Sequence, residues 1–231
     1  MTPELLTLLQ GVDTPTVCNA IEVAQGARGF DRFTRTTLFA SDPEAPAMVG
    51  RARTARIRAV APPAEDAQII RSRRMAYYKY MSEAAGPTIA VVEDMDGAAA
   101  VGAFWGEINS TVHKGFGLAG TLTNGLMRDL ADMAPEYPVL AGGLGPSHAF
   151  VHVTEIATPV EIFGMSVAPD EWVHADRHGA LVIPAAVIPD LGAAIGTMQS
   201  TEQIVLRAAR APDFDFAAFE AAWRTFEAAR T

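Results

Sequence analysis

Residues 102–133 read GAFWGEINSTVHKGFGLAGTLTNGLMRDLADM. Glycines divide this stretch into a helical segment over 106–115, a strand in GLAGTLTN and a turn at Thr123-Asn124-Gly125, the alternation that builds an α/β core. Gly102 and Gly106 allow a tight backbone path directly before a helix that begins at Glu107. The first N–H groups of a helix have no partner within it, and the helix dipole makes that end positive. The amides of Ile108 and Asn109 are therefore placed to meet a carboxylate. Arg128 and Asp129 follow the glycine turn, at the C-terminal side of a strand where α/β proteins gather ligands. Read by themselves, these two residues fit an exposed ion pair at a helix start better than a ligand site.

The flanks extend the same pattern. PTIAVVED reads as a buried strand, MVGRARTARIRAV as a half-exposed one, and residues 65–83 as a helix. Two helices are expected over 3–25, with Thr14 as the cap before Pro15. Beyond residue 138 come the short strand candidates PVLAGG, AFVHVTEIA and PVEIFG, then EWVHA paired with ALVIP across residues 176–179. Asp176 reads as a turn acid bonding its own backbone, with His174 and His178 beside it on the surface. Helices return near the end in PAAVIPDLGAAIG, TEQIVLRAAR and FAAFEAAWRTFEAAR. The expected plan is one domain over 1–231, with N-terminal helices 3–25, an α/β core 47–190 and C-terminal helices 191–231.

Composition bounds the function. With 231 residues, 49% of them hydrophobic, the chain can bury a full core. Its formal charge of −9 disfavours nucleic-acid phosphates. Arg71, Arg73 and Arg74 read as a solvated helix face. The lone Cys18 excludes a disulfide framework and a cysteine zinc cluster within one subunit. No segment approaches a membrane span or a secretory leader, so the expectation is a cytoplasmic protein with no membrane and no nucleic-acid partner.

The spacing Gly106-Glu107, twenty residues, Arg128-Asp129, two residues, Asp132 resembles the hallmark of the RraA-like family. That family includes 4-hydroxy-4-methyl-2-oxoglutarate and 4-carboxy-4-hydroxy-2-oxoadipate aldolases with oxaloacetate decarboxylase activity, and regulators of ribonuclease E. DTPTVCNAIE, GGLGPSHAFVHV and PDEWVHADRHGALVIP extend the resemblance over about residues 10–190. Two departures are Glu107, where characterised aldolases carry aspartate, and Asp170-Glu171 after Pro169 in place of Gly-Asp.

The resemblance implies a swivelling β/β/α domain with flanking N- and C-terminal helices, assembled as a homotrimer or homohexamer. It implies a pyruvate aldolase or decarboxylase acting on a small 2-oxo acid. Asp129 would bind Mg²⁺ or Mn²⁺ directly, and Glu107 and Asp132 would act through water. Gly106, Ile108 and Asn109 would hold the substrate carboxylate, and Arg128 the keto oxygen. Glu107 and Arg128 would serve the bond cleavage, because breaking C3–C4 leaves an enolate whose charge needs stabilising. Glu202 is a candidate acid contributed by a neighbouring subunit, and an ordinary helix glutamate otherwise. His148, near a Gly-Pro-Ser turn, is a candidate for the distal part of the substrate. With His152 four residues on, it could suggest zinc, but no third ligand is fixed by the sequence.

Lys79 and Lys114, the only lysines, lie in no pocket motif for a Schiff base. A non-catalytic docking protein of the ribonuclease-inhibitor type is the principal alternative reading. A quinone methyltransferase lacks its glycine loop here.

Overall fold

The structure is a computed structural model that describes residues 1–83 and 85–230. In chain order its helices are α1 (Pro3–Gln10), α2 (Thr14–Gln25), α3 (Ala67–Ser82), α4 (Glu107–Gly115), α5 (Ile188–Ala209) and α6 (Phe216–Arg230). The first strands are β1 (Phe39–Ala40), β2 (Met48–Arg58), β3 (Thr88–Asp94), β4 (Ala103–Trp105), β5 (Thr121–Thr123), β6 (Leu126–Met127) and β7 (Val139–Ala141). They are followed by β8 (Gly143–Leu144), β9 (His152–Ile156), β10 (Val160–Ile162), β11 (Met165–Val167), β12 (Trp172–Asp176) and β13 (Gly179–Ile183).

A mixed sheet runs in the order β1-β7-β5-β3-β2-β12-β13, and β9 also pairs with β2. Its centre is parallel, β2 to β3 to β5 to β7, so those strands are covered on both faces. β3 shows why the sequence reads as a continuous apolar run: Ile89 and Val91 enter one core while Ala90 and Val92 enter the other. One core is closed by the β10–β11 hairpin, whose Val160, Ile162, Met165 and Val167 are buried. The other is closed by Tyr77 and Met81 of α3 together with Trp105. α1, α2 and α5 pack a third cluster against Val49, Leu181 and Ile183. The strand expected in MVGRARTARIRAV is the central β2, more deeply buried than its arginines suggest.

Several local expectations change. The cap of α2 is Asp13, whose Oδ1 accepts from the Thr16 amide at 2.9 Å. Thr14 is the first helical residue, and its hydroxyl lies 3.0 Å from His174 Nδ1. His174 is fully buried, contrary to the surface position expected, because its Nε2 also reaches the Leu9 carbonyl at 2.9 Å. Both ring nitrogens are thus satisfied, which removes the cost of burying them. Asp176 holds the turn as expected, accepting from the His178 amide at 2.8 Å, and it also accepts from the Thr14 amide at 3.0 Å. The two helical segments expected after residue 184 join in α5, and α6 follows; residue 231 lies outside the described residues.

α4 is anchored by His113, which is buried. Its Nδ1–H donates to the Asn109 carbonyl at 2.6 Å, and Nε2 accepts from the Tyr77 hydroxyl at 2.7 Å. Burial holds its pKa down to about 4 from the ordinary 6.5. The unfolded ring takes up its proton first as pH falls, so His113 costs stability progressively from about 6.5 downward. Relative to the wild type, His113→Gln is expected to gain about 2 kcal/mol between pH 7 and pH 5. Parallel denaturant titrations at the two pH values check this, and a constant difference would refute it.

Candidate active site at the ends of three parallel strands

β4, β6 and β8 form a small parallel sheet in the order β4-β6-β8. Parallel pairing sets their C-terminal ends side by side, so the residues that follow each strand must meet. Gly106 follows β4, Arg128 and Asp129 follow β6, and the loop beginning at Gly145 follows β8. The Arg128 amide donates to the Trp105 carbonyl at 2.8 Å, and the Gly145 amide to the Met127 carbonyl at 3.1 Å. The sequence placed Arg128-Asp129 directly after the GLAGTLTN strand or at a helix start. In the structure β6 intervenes and a turn follows, with the Asp132 amide donating to the Asp129 carbonyl at 2.9 Å.

Gly106 is buried and extended, with φ −162° and ψ −162°. Any residue adopts that backbone, so glycine is required here by space. A Cβ at this position would lie 2.5 Å from Asp129 Oδ2 and 3.1 Å from Arg128 Cγ. Asp129 itself sits at φ 54°, a left-handed conformation that costs a non-glycine residue about 1 kcal/mol or more. Its turn is held from α4: Ser110 Oγ accepts from the Ala134 amide at 3.0 Å, and Lys114 Nζ reaches Glu136 at 3.3 Å.

Arg128 Nε lies 3.6 Å from Asp129 Oδ2, and the two side chains are 34% and 38% exposed, open enough to meet a ligand. That Nε is buried without a hydrogen-bond partner, an expensive state unless something accepts from it. α4 begins with no side-chain cap, and its first internal bond runs from the Ser110 amide to the Gly106 carbonyl at 3.0 Å. The amides ahead of Ser110 are thereby left to other acceptors. Glu107, Asp129 and Asp132 are all exposed.

The residues expected around this point are only partly brought together. Gly106, Arg128 and Asp129 converge, and Ile108, Asn109, Arg128 and His148 line one cavity of about 440 Å³. The Asn109 side chain is committed to structure, with Oδ1 accepting from the Tyr78 hydroxyl at 2.8 Å and Nδ2 donating to the Phe104 carbonyl at 2.6 Å. Only its backbone amide remains for a ligand. His152 begins β9 while His148 precedes that strand, so they do not share a strand face, although both line the cavity. Glu202 lines a separate cavity with Asn19, Glu22 and Thr201. Lys79 and Lys114 reach Glu83 and Glu136.

Among the described residues no three acidic, histidine or cysteine side chains surround one point. Zinc-type coordination is therefore not supported within the protomer. One accessible carboxylate at Asp129 suits a hard cation that keeps most of its waters, as Mg²⁺ does. Asp129 would hold such an ion.

Asp94, at the C-terminal end of β3, was not singled out in the sequence. It is fully buried, and its Oδ2 has no hydrogen-bond partner while Oδ1 accepts from the Asp96 amide at 2.9 Å. Its backbone is clamped to Asn124, with Asp94 N–H donating to Asn124 Oδ1 at 2.7 Å and Asn124 Nδ2 donating to the Asp94 carbonyl at 2.9 Å. The turn leading into β6 therefore rests on the backbone at the end of β3. The signal was present in PTIAVVED, an apolar run ending in an acid at a strand's C-terminal edge.

Fold and site define a mixed α/β protein in which an uncapped helix start meets an arginine–aspartate pair at a strand–helix junction. The RraA-like family model, described as Aldolase/RraA, matches residues 14–182, and the chain belongs to that family. The solved structure of an uncharacterized protein from Pseudomonas syringae pv. tomato is similar at 18% identity and TM-score 0.70, covering 100% of this chain and 98% of that one. Streptomyces coelicolor RraAS2, described as an unusual member of the RNase ES inhibitor RraA protein family, is 23% identical at TM-score 0.67, over 91% of this chain and 98% of that one. A protein described among novel cellulases from microbes of the gut ecosystem is 16% identical at TM-score 0.71, over 88% and 87% of the two chains. These likenesses show the fold. No curated protein matches the sequence.

Two tests follow from the geometry. Gly106→Ala is expected to fold, losing about 1–3 kcal/mol, with the Asp129 carboxylate and the Arg128 stem pushed aside; a crystal structure with both unmoved would remove the packing requirement. Burial pushes the Asp94 carboxyl up to about 6 from 3.8. The folded protein thus binds its proton first as pH falls, so the stability this acid costs builds up as pH rises from about 3.8 to about 6 and is constant above that. Relative to the wild type, Asp94→Asn should be about 1 kcal/mol more stabilising at pH 7 than at pH 5, read from denaturation midpoints.

Proposed function

We propose that this chain is a divalent-metal-dependent carbon–carbon lyase that releases pyruvate from a small 2-oxo acid, by aldol cleavage of a 4-hydroxy-2-oxo acid or decarboxylation of oxaloacetate. The observation that carries this reading is the Arg128–Asp129 ion pair at the lip of a cavity, beside an uncapped helix start, with the buried guanidinium Nε lacking a hydrogen-bond partner. A bound Mg²⁺ or Mn²⁺ at Asp129 supplies positive charge for the substrate's C1–C2 end.

The chain's own groups do the rest. The backbone amides of Ile108 and Asn109 hold the C1 carboxylate at the positive end of α4. Arg128 donates to the C2 oxygen, where negative charge grows as the C3–C4 bond breaks. The bond's electron pair passes to C3 and the C2 oxygen, and the C4 hydroxyl proton goes to Glu107 or water at Asp132. C4 departs as a carbonyl, and a proton taken up at C3 completes pyruvate. With oxaloacetate the departing group is carbon dioxide and no hydroxyl proton is involved, so one site serves both reactions.

The second reading is a docking protein that performs no chemistry, favoured by the similarity of fold to RraAS2 with its RNase ES inhibitor description. The two separate on one measurement. Pyruvate release from oxaloacetate should appear with Mg²⁺ or Mn²⁺, disappear with a chelator, and fall by on the order of 100-fold in Asp129→Ala. Arg128→Lys should not restore what Arg128→Ala loses, since an ammonium lacks the planar fork. Activity indifferent to chelation rejects the mechanism, and no activity with any 2-oxo acid favours the docking reading.

A further inference from the structure

The cavity that opens from Arg128 is larger than a four-carbon acid needs. It has a volume of about 440 Å³, within the range of about 300–1,000 Å³ typical of sites for drug-sized ligands. Beyond Arg128, Ile108 and Asn109 its walls come from Pro63 and α3, from Ala103 and Phe104 of β4, and from residues 148–152 running into β9. Ile70, Arg74 and Tyr78 stand four residues apart along α3 and so form one stripe facing it.

The charge on this lining opposes that of the chain. The protein carries −9 overall, yet the lining holds Arg74, Arg128, His148 and His152 and not one Asp or Glu. Arg74 enters no ion pair among the described residues, whereas its neighbour Arg73 is held by Glu65 at 2.6 Å. His148 and His152 each place Nδ1 2.8 Å from a backbone carbonyl, of Ala149 and Phe150 respectively, which fixes the proton there and leaves Nε2 as the other polar atom of each ring.

The same lining holds the rings of Tyr78, Phe104 and Phe150. Tyr78 is pinned through Asn109, and Phe104 packs edge-on against Tyr77 with centroids 5.9 Å apart. Phe150 is 53% exposed although large and apolar, which suits a ring that a ligand covers. Ala149 beside it holds φ 46°, the second non-glycine residue on this site in a left-handed conformation.

We propose that this cavity receives the distal half of the substrate, and that it selects 2-oxo acids whose far end is an aromatic ring bearing a carboxylate. The ring lies among Tyr78, Phe104 and Phe150, and the carboxylate meets the Arg74 guanidinium, which can take it in a two-pronged bond. This rests on the lyase reading for the position of the 2-oxo end, and on the cavity alone for the tail.

The test is binding to the full chain with Mg²⁺, by calorimetry, of three acids that share the 2-oxo head and cannot be cleaved in an aldol sense: pyruvate, phenylpyruvate and 4-carboxyphenylpyruvate. Phenylpyruvate should bind about tenfold tighter than pyruvate, and the added carboxylate should bring roughly another tenfold. Arg74→Gln should remove the second increment and keep the first, while Phe150→Ala should reduce the first. Equal affinities for the three acids, or a carboxylate increment that survives Arg74→Gln, overturn the assignment. Pyruvate release from oxaloacetate in the same preparation decides the lyase reading separately. A protein that cleaves oxaloacetate without any ring increment loses this cavity assignment and keeps its chemistry.

Discussion

The absence of one side chain organises the site. Gly106 lets the backbone at the start of α4 pass so close to Asp129 and Arg128 that no methyl group fits between them. That contact is possible because β4 and β6 run parallel, which delivers both segments to the same end of a small sheet. The strained backbone of Asp129 is then tolerated because Ser110 and Lys114 of α4 hold the following turn. Helix start, guanidinium and carboxylate are therefore one unit, and none can be repositioned without the others.

The larger sheet works as a foundation more than as a participant. Its central strands are covered on both faces by separate apolar clusters, and its contribution to the site passes through the end of β3. There the backbone of Asp94 holds the Asn124–Gly125 turn, while its carboxyl lies buried with one oxygen lacking a hydrogen-bond partner. Buried polar groups left unsatisfied are costly in general, so this carboxyl weighs against stability while the backbone bonds beside it hold the turn.

Much of this was legible in the sequence, and the boundary of legibility has physical causes. α2, α3, α4 and the β12–β13 hairpin were readable because each carries a period or a turn signal longer than its own ends. The Gly106, Arg128 and Asp129 association was readable through spacing and family resemblance. The β4–β6–β8 sheet was not, because strands of two or three residues are too short to show alternation. His174 misled because a polar residue next to a turn looks exposed, and only the tertiary partners Thr14 and Leu9 explain its burial. The separation of Arg73 from Arg74 was equally hidden: one runs to Glu65 and its neighbour lines a cavity, a difference of one step around a helix.

The way the cavity walls are distributed along the chain has an evolutionary consequence. The groups proposed to grip the reacting end come from residues 106–132, whereas the far walls come from residues 63–78, 103–104 and 148–152. Two of these stretches, 63–78 and 148–152, lie well apart from the gripping segment in sequence, as jaws on a fixed vice, with Tyr78 bonded back to it through Asn109. On the lyase reading proposed above, members of one lineage can thereby diverge in the acids they take while inheriting the same chemistry.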